Sequence, residues 1–203
     1  MFHLINMRNV LLIFIKNPEA GKVKTRLAKS IGALEALQVY EKLLARTLAA
    51  AGKSTVSRQV WYSSFIDIED DISMETFEKY LQTGSDLGER MKNAFRQAFE
   101  EGADNVVIIG SDCPDLNETI LEDAFDKLGT SDLVIGPSED GGYYLLGMNR
   151  FYEALFRDVE WSTESVLKST IDNAKTMGLN ISRLPVLNDI DTLEDLRKSS
   201  LRL

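Results

Sequence analysis

The chain has 203 residues, 44% hydrophobic and 27% charged, enough for one compact domain with a sizeable core. Its formal net charge of −9 argues against a nucleic-acid partner, because a phosphate backbone calls for a basic face. A single cysteine excludes an internal disulfide framework and a four-cysteine zinc site, and no apolar run is long enough for a membrane span.

Val10 to Ile15 is a continuous apolar run of strand length, the pattern of a buried parallel strand. A loop follows, broken by Pro18 and Gly21 and carrying Lys16, Lys22, Lys24 and Arg26. Apolar residues at a 3.6-residue period then predict one helix from about Leu27 to Ala51, stopped by Gly52. Gln59 to Ser64 reads as a strand, 65–76 as irregular and acidic, and Phe77 to Leu81 as either helix or strand. After a turn at 82–85, a helix from Asp86 or Leu87 to Gly102 places Leu87, Met91, Ala94, Phe95, Ala98 and Phe99 on one face.

Val106 to Ile109 is the central strand, and it stops abruptly at Gly110-Ser111-Asp112-Cys113-Pro114. Asn117 caps a helix to about Leu128, and Asp132 to Pro137 is a strand. The tight turn Ser138-Glu139-Asp140-Gly141-Gly142 leads into a strand from Tyr143 to Met148, which suggests an antiparallel excursion. A short helix around 150–156, a helix from Trp161-Ser162-Thr163 to about Met177, a strand from Ile181 to Leu187 and a final helix after Asn188-Asp189-Ile190-Asp191-Thr192 complete the pass. Strands alternating with helices predict an α/β fold, a three-layer α/β/α sandwich with a mostly parallel mixed sheet, as a single domain over 1–203.

The first loop follows a strand and opens a helix, so backbone N–H groups, Gly21 and the cations suit an anion. A solvated basic loop is the plain alternative, but cations at a helix start oppose its dipole. The loop is not a P-loop, since Val23 follows Lys22 where that motif has a hydroxyl residue for magnesium. Asp112 sits where open α/β sheets bind ligands and could hold Mg²⁺ or Mn²⁺ together with phosphate oxygens. Asp189 or Asp191 is a second carboxylate for the same ion, with helix capping by Asp191 or Thr192 as the alternative. Glu139 or Asp140 could act as a general base, unless the segment is only a hairpin turn. Trp161 and its hydroxyl neighbours could wall a pocket, and Gln82 and Gly84 could face a base or ribose. Cys113 reads as packing, because the one histidine, His3, lies near the N-terminus and no other can activate a thiol.

Six ordered motifs together resemble the family known as domain of unknown function 2064: Lys-x-Pro-x-x-Gly-x-x-Lys-Thr-Arg-Leu (16–27), Gln-x-Gly-x-Asp-Leu-Gly-x-Arg-Met (82–91), Gly-x-Asp-x-Pro (110–114), Asp-Gly-Gly-Tyr (140–143), Trp-Ser-Thr (161–163) and Asp-Ile-Asp-Thr (189–192). The family is described as glycosyltransferase-like, or as transferases associated with radical-SAM and selenium-related proteins. It is similar more broadly to the nucleotide-diphospho-sugar transferases of GT-A fold. The resemblance runs from Val10 to about Leu196. It implies triphosphate or diphosphate contacts from Gly21, Lys24 and Arg26, base contacts from Gln82 and Gly84, and a metal held by Asp112 and Asp191.

One glycine in the first loop, where sugar-nucleotide pyrophosphorylases have several, speaks against that activity. The expectation is a cytoplasmic, metal-dependent transferase with a nucleotide-sugar donor and a small-molecule acceptor. Its catalytic residues would be Lys24, Arg26, Asp112 and Asp140. Lys16, Gly21, Gln82, Gly84, Glu139, Gly141, Gly142 and Trp161 would bind substrate. The rival expectations are nucleotidyl transfer to a phosphorylated acceptor with pyrophosphate release, and a nucleotide-binding module without turnover.

Overall fold

The computed structural model describes residues 7–201, so His3 lies outside the described residues. Its strands are β1 (Asn9–Ile15), β2 (Ser57–Tyr62), β3 (Glu78–Leu81), β4 (Asn105–Ile109), β5 (Leu133–Pro137), β6 (Tyr143–Met148) and β7 (Ile181–Arg183). Its helices are α1 (Thr25–Ile31), α2 (Ala33–Gly52), α3 (Leu87–Glu100), α4 (Glu118–Leu128), α5 (Val166–Thr176) and α6 (Leu193–Lys198).

The strands form one sheet in the order β3-β2-β1-β4-β6-β5-β7. Only β6 is antiparallel, to both β4 and β5, as the short 138–142 turn requires; two strands joined so tightly cannot run parallel. The other pairings are parallel.

Alternation along the strands splits the core in two. Leu11, Ile13, Val107, Ile109 and Val134 pack against Tyr40 and Leu44 of α2 and Leu121 and Phe125 of α4. Val10, Leu12, Val106, Ile108 and Ile135 pack against Met91 and Phe95 of α3 and Ile171 and Ala174 of α5. Burial on both faces explains why β1 and β4 read as unbroken apolar runs. A third cluster, with Leu27, Val39, Leu43, Ile190 and Leu196, ties α1, α2 and α6 together. Among the described residues, no helix is long and apolar enough to cross a membrane.

Several elements differ from the sequence expectation. The single helix over 27–51 is two helices, because Gly32 takes φ 99 and breaks the run. Residues 78–81 are an edge strand, paired with β2. The strand expected over 181–187 is regular for only three residues; Pro185 has no N–H for the ladder, although Leu184 and Leu187 still donate to Ile135 and Pro137. The helix after Trp161 begins only at Val166, and 153–156 is a 3₁₀ turn. Leu87, expected on the buried face, is exposed: as the first residue of α3 it stands over a crevice.

The chain moves from β1 outward to β3, then returns with β4 on the other side of β1. Crevices at the carboxyl ends of strands open where strand order reverses in this way, here beyond Ile15 and Ile109.

Candidate active site

Beyond β4, a side chain on Gly110 would meet no atom within 4 Å, so the backbone there faces open space. Asp112 follows, and its Oδ1 lies 2.7 Å from Lys24 Nζ. The Lys24 side chain is only 3% exposed, and the same ammonium lies 3.3 Å from Asp191 Oδ1. The Asp191 Oδ2 faces Arg26 Nη1 at 3.5 Å. Two carboxylate oxygens touching one nitrogen at these distances lie within about 6 Å of each other; sharing one divalent ion through ligand bonds of about 2.1 Å needs about 4 Å or less, with the ammonium displaced from between them.

Local structure explains the convergence. Lys24 holds the left-handed conformation, φ 47, at the start of α1. That conformation is uncommon outside glycine, and such strain gathers at functional sites. On the other side, the Ile190 N–H donates to the Asp112 carbonyl at 3.1 Å, so the two acidic segments are joined through backbone. Thr192 caps α6, with Asp195 completing a capping box, which leaves the Asp191 carboxylate to the crevice. Asp189 faces inward, and burial, followed by repulsion from Asp112, pushes its carboxyl up to about 7.

Of the four cations in the first loop, Lys22 turns away to pair with Glu19 at 2.7 Å. Lys16, Lys24 and Arg26 line a cavity of about 130 Å³ with Asp112 and Asp191. Gly21, at φ 78, is exposed with open space around it.

The cavity also holds a residue that periodicity had placed in the core. Tyr40 of α2 is 1% exposed; its hydroxyl donates to the Lys16 carbonyl and accepts from the Lys16 N–H, both at 2.8 Å, and accepts from Ser111 Oγ at 3.2 Å. Tyr40 thus fixes the loops after β1 and β4 relative to each other. Tyr40→Phe should cost about 1–2 kcal/mol in urea unfolding, because Lys16 loses both backbone partners. Unchanged unfolding would refute that role.

Two larger cavities meet at Gly110 and Asp189. One, about 520 Å³, runs from Lys16 and Asp112 to Gln82, Ser85 and Arg90. Gln82 Nε2 donates to the Ile15 carbonyl at 3.0 Å and the Trp61 carbonyl at 2.7 Å, so its amide nitrogen clamps the ends of β1 and β2. Gly84, at φ 143, passes beneath α3 so closely that a Cβ would lie 2.8 Å from the Arg90 nitrogen.

The other cavity, about 550 Å³, has Leu87, Met91, Tyr143 and Trp161 on its wall, with Asp140, Glu164 and Gly142 at its rim. Trp161 stacks on Phe156 and lies where a Cβ on Gly88 would be. Ser162 beside it has φ 64, and α5 begins later without a side-chain cap, so Trp161-Ser162-Thr163 forms a wall rather than a helix cap.

Asp140 Oδ1 accepts from Ser138 Oγ and from the Gly142 N–H, which shapes the turn. Glu139 does not line the aromatic cavity; with Asp115 and Lys198 it lines an adjoining cavity of about 330 Å³ that shares Arg26, Asp140, Asp189 and Asp191 with it. Asp115 accepts from Ser200 Oγ, while Asn117 caps α4. Cys113 is 3% exposed within the core, and burial pushes its thiol up to about 12.

The chain matches, over residues 44–163, the family described as "Uncharacterized protein conserved in bacteria (DUF2064)". No curated protein matches it. A structure from Desulfovibrio desulfuricans G20, of a protein proposed to be a nucleotide-diphospho-sugar transferase, is 33% identical; the match covers 94% of this chain and 85% of that one, with a TM-score of 0.87. The 4-diphosphocytidyl-2C-methyl-D-erythritol synthase of Anaerococcus prevotii DSM 20548 is 12% identical over 95% of this chain and 94% of its own, with a TM-score of 0.61. Rv0371c of Mycobacterium tuberculosis H37Rv, in complex with manganese, is 13% identical over 95% and 97%, with a TM-score of 0.58. At the two lower identities the likeness is one of fold.

Proposed function

The chain belongs to the DUF2064 family, and from that premise and the geometry of its crevice we propose that it is a single-domain, metal-dependent transferase that takes a nucleotide-sugar donor. One observation carries the reading: the Lys24 ammonium is held between Asp112, which lines the cavity reaching Gln82, and Asp191, which lines the aromatic one. The nucleoside would occupy the cavity reaching Gln82, Ser85 and Arg90, with Gly84 in the backbone between them. Its diphosphate would lie along Lys16, Gly21, Lys24 and Arg26. The sugar would point towards Asp189 and the Trp161 wall, with Gly141 and Gly142 shaping the acceptor side.

The acceptor oxygen attacks the anomeric carbon and the bond from that carbon to the diphosphate breaks. The nucleoside diphosphate leaves with the electron pair, and Asp140 takes the acceptor's proton. Lys24 and Arg26 face the charge that grows on the leaving phosphate, so they contribute through electrostatics already in place. Among the described residues, no group of three or more acidic, histidine or cysteine side chains is arranged to hold an ion by itself. An ion would therefore be held by Asp112 and Asp191 together with donor phosphate oxygens, a donor set of hard oxygens that suits Mg²⁺ or Mn²⁺. When bound it would neutralise diphosphate charge. A cytoplasmic place of action belongs to the same proposal.

The test is product identity from a panel of nucleotide sugars and nucleoside triphosphates with Mg²⁺ or Mn²⁺. Release of a nucleoside diphosphate from a nucleotide sugar is expected. Pyrophosphate release from a triphosphate in the presence of a phosphorylated acceptor would replace this reading with nucleotidyl transfer; binding without turnover would leave a nucleotide-binding module. Asp112→Asn should abolish the metal-dependent part of thermal stabilisation by nucleoside diphosphate.

A further inference from the structure

The charges around the aromatic cavity say something about what enters it. Asp140, Glu164, Asp189 and Asp191 line it, against one basic residue, Arg26. Arg26 is at the end nearest the phosphate loop, with its guanidinium already facing Asp191. The rest of the lining offers a phosphate no cationic side chain, and two carboxylates, Asp140 and Glu164, would face it there. Like charges brought together in such a site repel, which disfavours a phosphate there. Trp161, Leu87 and Met91 instead provide an apolar wall, and carboxylates accept hydrogen bonds from hydroxyl groups.

We infer that this cavity takes a phosphate-free, hydroxyl-rich acceptor with an apolar face that lies against Trp161. The inference rests on the transferase reading for the word acceptor, but the preference of the cavity is measurable without a donor.

The experiment follows tryptophan fluorescence, since Trp161 is on the cavity wall while Trp61, the other tryptophan, is 2% exposed. The probes are phenyl β-D-glucoside and its 6-phosphate. The neutral probe should quench at a concentration at least about tenfold lower than the phosphorylated one, given the repulsion described. The response should vanish in Trp161→Phe, and Glu164→Lys, a change at an exposed loop position, should narrow the gap. Equal or tighter binding of the 6-phosphate would overturn the inference. So would a response that survives in Trp161→Phe, or no response to either probe. In parallel, nucleoside diphosphate with Mg²⁺ is tested for thermal stabilisation. If that fails while the neutral probe still quenches, the donor reading falls and the cavity preference stands.

Discussion

Lys24→Met should lower nucleoside diphosphate release by about 10²–10³-fold, the scale of losing one preorganised charge at a developing anion. Methionine keeps most of the stem that packs in the crevice and is no worse than lysine in the left-handed conformation at φ 47. What it removes is the cation between Asp112 and Asp191. Two opposed effects bear on stability. The carboxylates lose their partner, but they are 40% and 43% exposed, and water can take over their solvation. The lysine, 3% exposed, no longer has to be desolvated. The net change in urea unfolding should therefore stay within about 1 kcal/mol. Activity and stability separate, and that separation is the signature of a charge placed for chemistry. Lys24→Arg should not restore the rate, because a planar guanidinium cannot place one compact charge between two carboxylates. Full activity in Lys24→Met would refute the role assigned to this residue.

The pair that Lys24 bridges could be read from the sequence for one reason and its bridge could not for another. Asp112 follows an apolar run that needs burial on both faces, so its place at a strand end follows from the pattern. Asp191 precedes a helix start, and the sequence left open whether it caps that helix; Thr192 and Asp195 satisfy the cap, a choice made by side-chain geometry. The antiparallel β6 was legible because Asp140-Gly141-Gly142 is too short for a crossover. Gly32 was not taken as a break because the apolar period continues across it, from Leu27 to Leu43, while the backbone breaks. Tyr40 was hidden because period counts it as apolar, and its hydroxyl finds partners on loops 24 and 71 residues away. Asn17, 3% exposed, was passed over as a loop residue; it donates to the Phe65 carbonyl and accepts from the Ser64 N–H, so it links two loops that no local rule connects. Lys22 and Glu139 show the opposite case. Each belongs to a motif by position, yet Lys22 pairs with its neighbour Glu19 and Glu139 faces the adjoining cavity rather than the aromatic one. A motif fixes which segment reaches the site; backbone direction decides which of its side chains faces in.

Gly141→Ala should be the most damaging of the glycine substitutions in the 138–142 turn, costing about 2–4 kcal/mol from left-handed strain and overpacking together. Its φ is +87, and a Cβ there would stand 2.2 Å from the Glu164 carbonyl oxygen and 2.8 Å from the Glu164 Cα. These are backbone atoms, so no rotamer change can relieve the contact. The Gly141 carbonyl also accepts from the Leu167 N–H at 3.0 Å, which fastens the turn to the first turn of α5. The Trp161-Ser162-Thr163 wall hangs just ahead of that fastening. Pushing Glu164 away should therefore disturb the aromatic cavity more than the one reaching Gln82, which is lined largely from the ends of β1 and β4, residues 82–90 and β6 and meets the wall only at Ser162. Urea unfolding reads the first effect, and a KM that rises for acceptor but not for donor reads the second. Gly21→Ala is the control, because Gly21 has φ 78 but nothing within 4 Å of an added Cβ. It should lose only the strain, about 1–2 kcal/mol. If Gly141→Ala costs no more than Gly21→Ala, the close approach to Glu164 does not hold the wall, and the preference of the cavity must be set by the side chains alone.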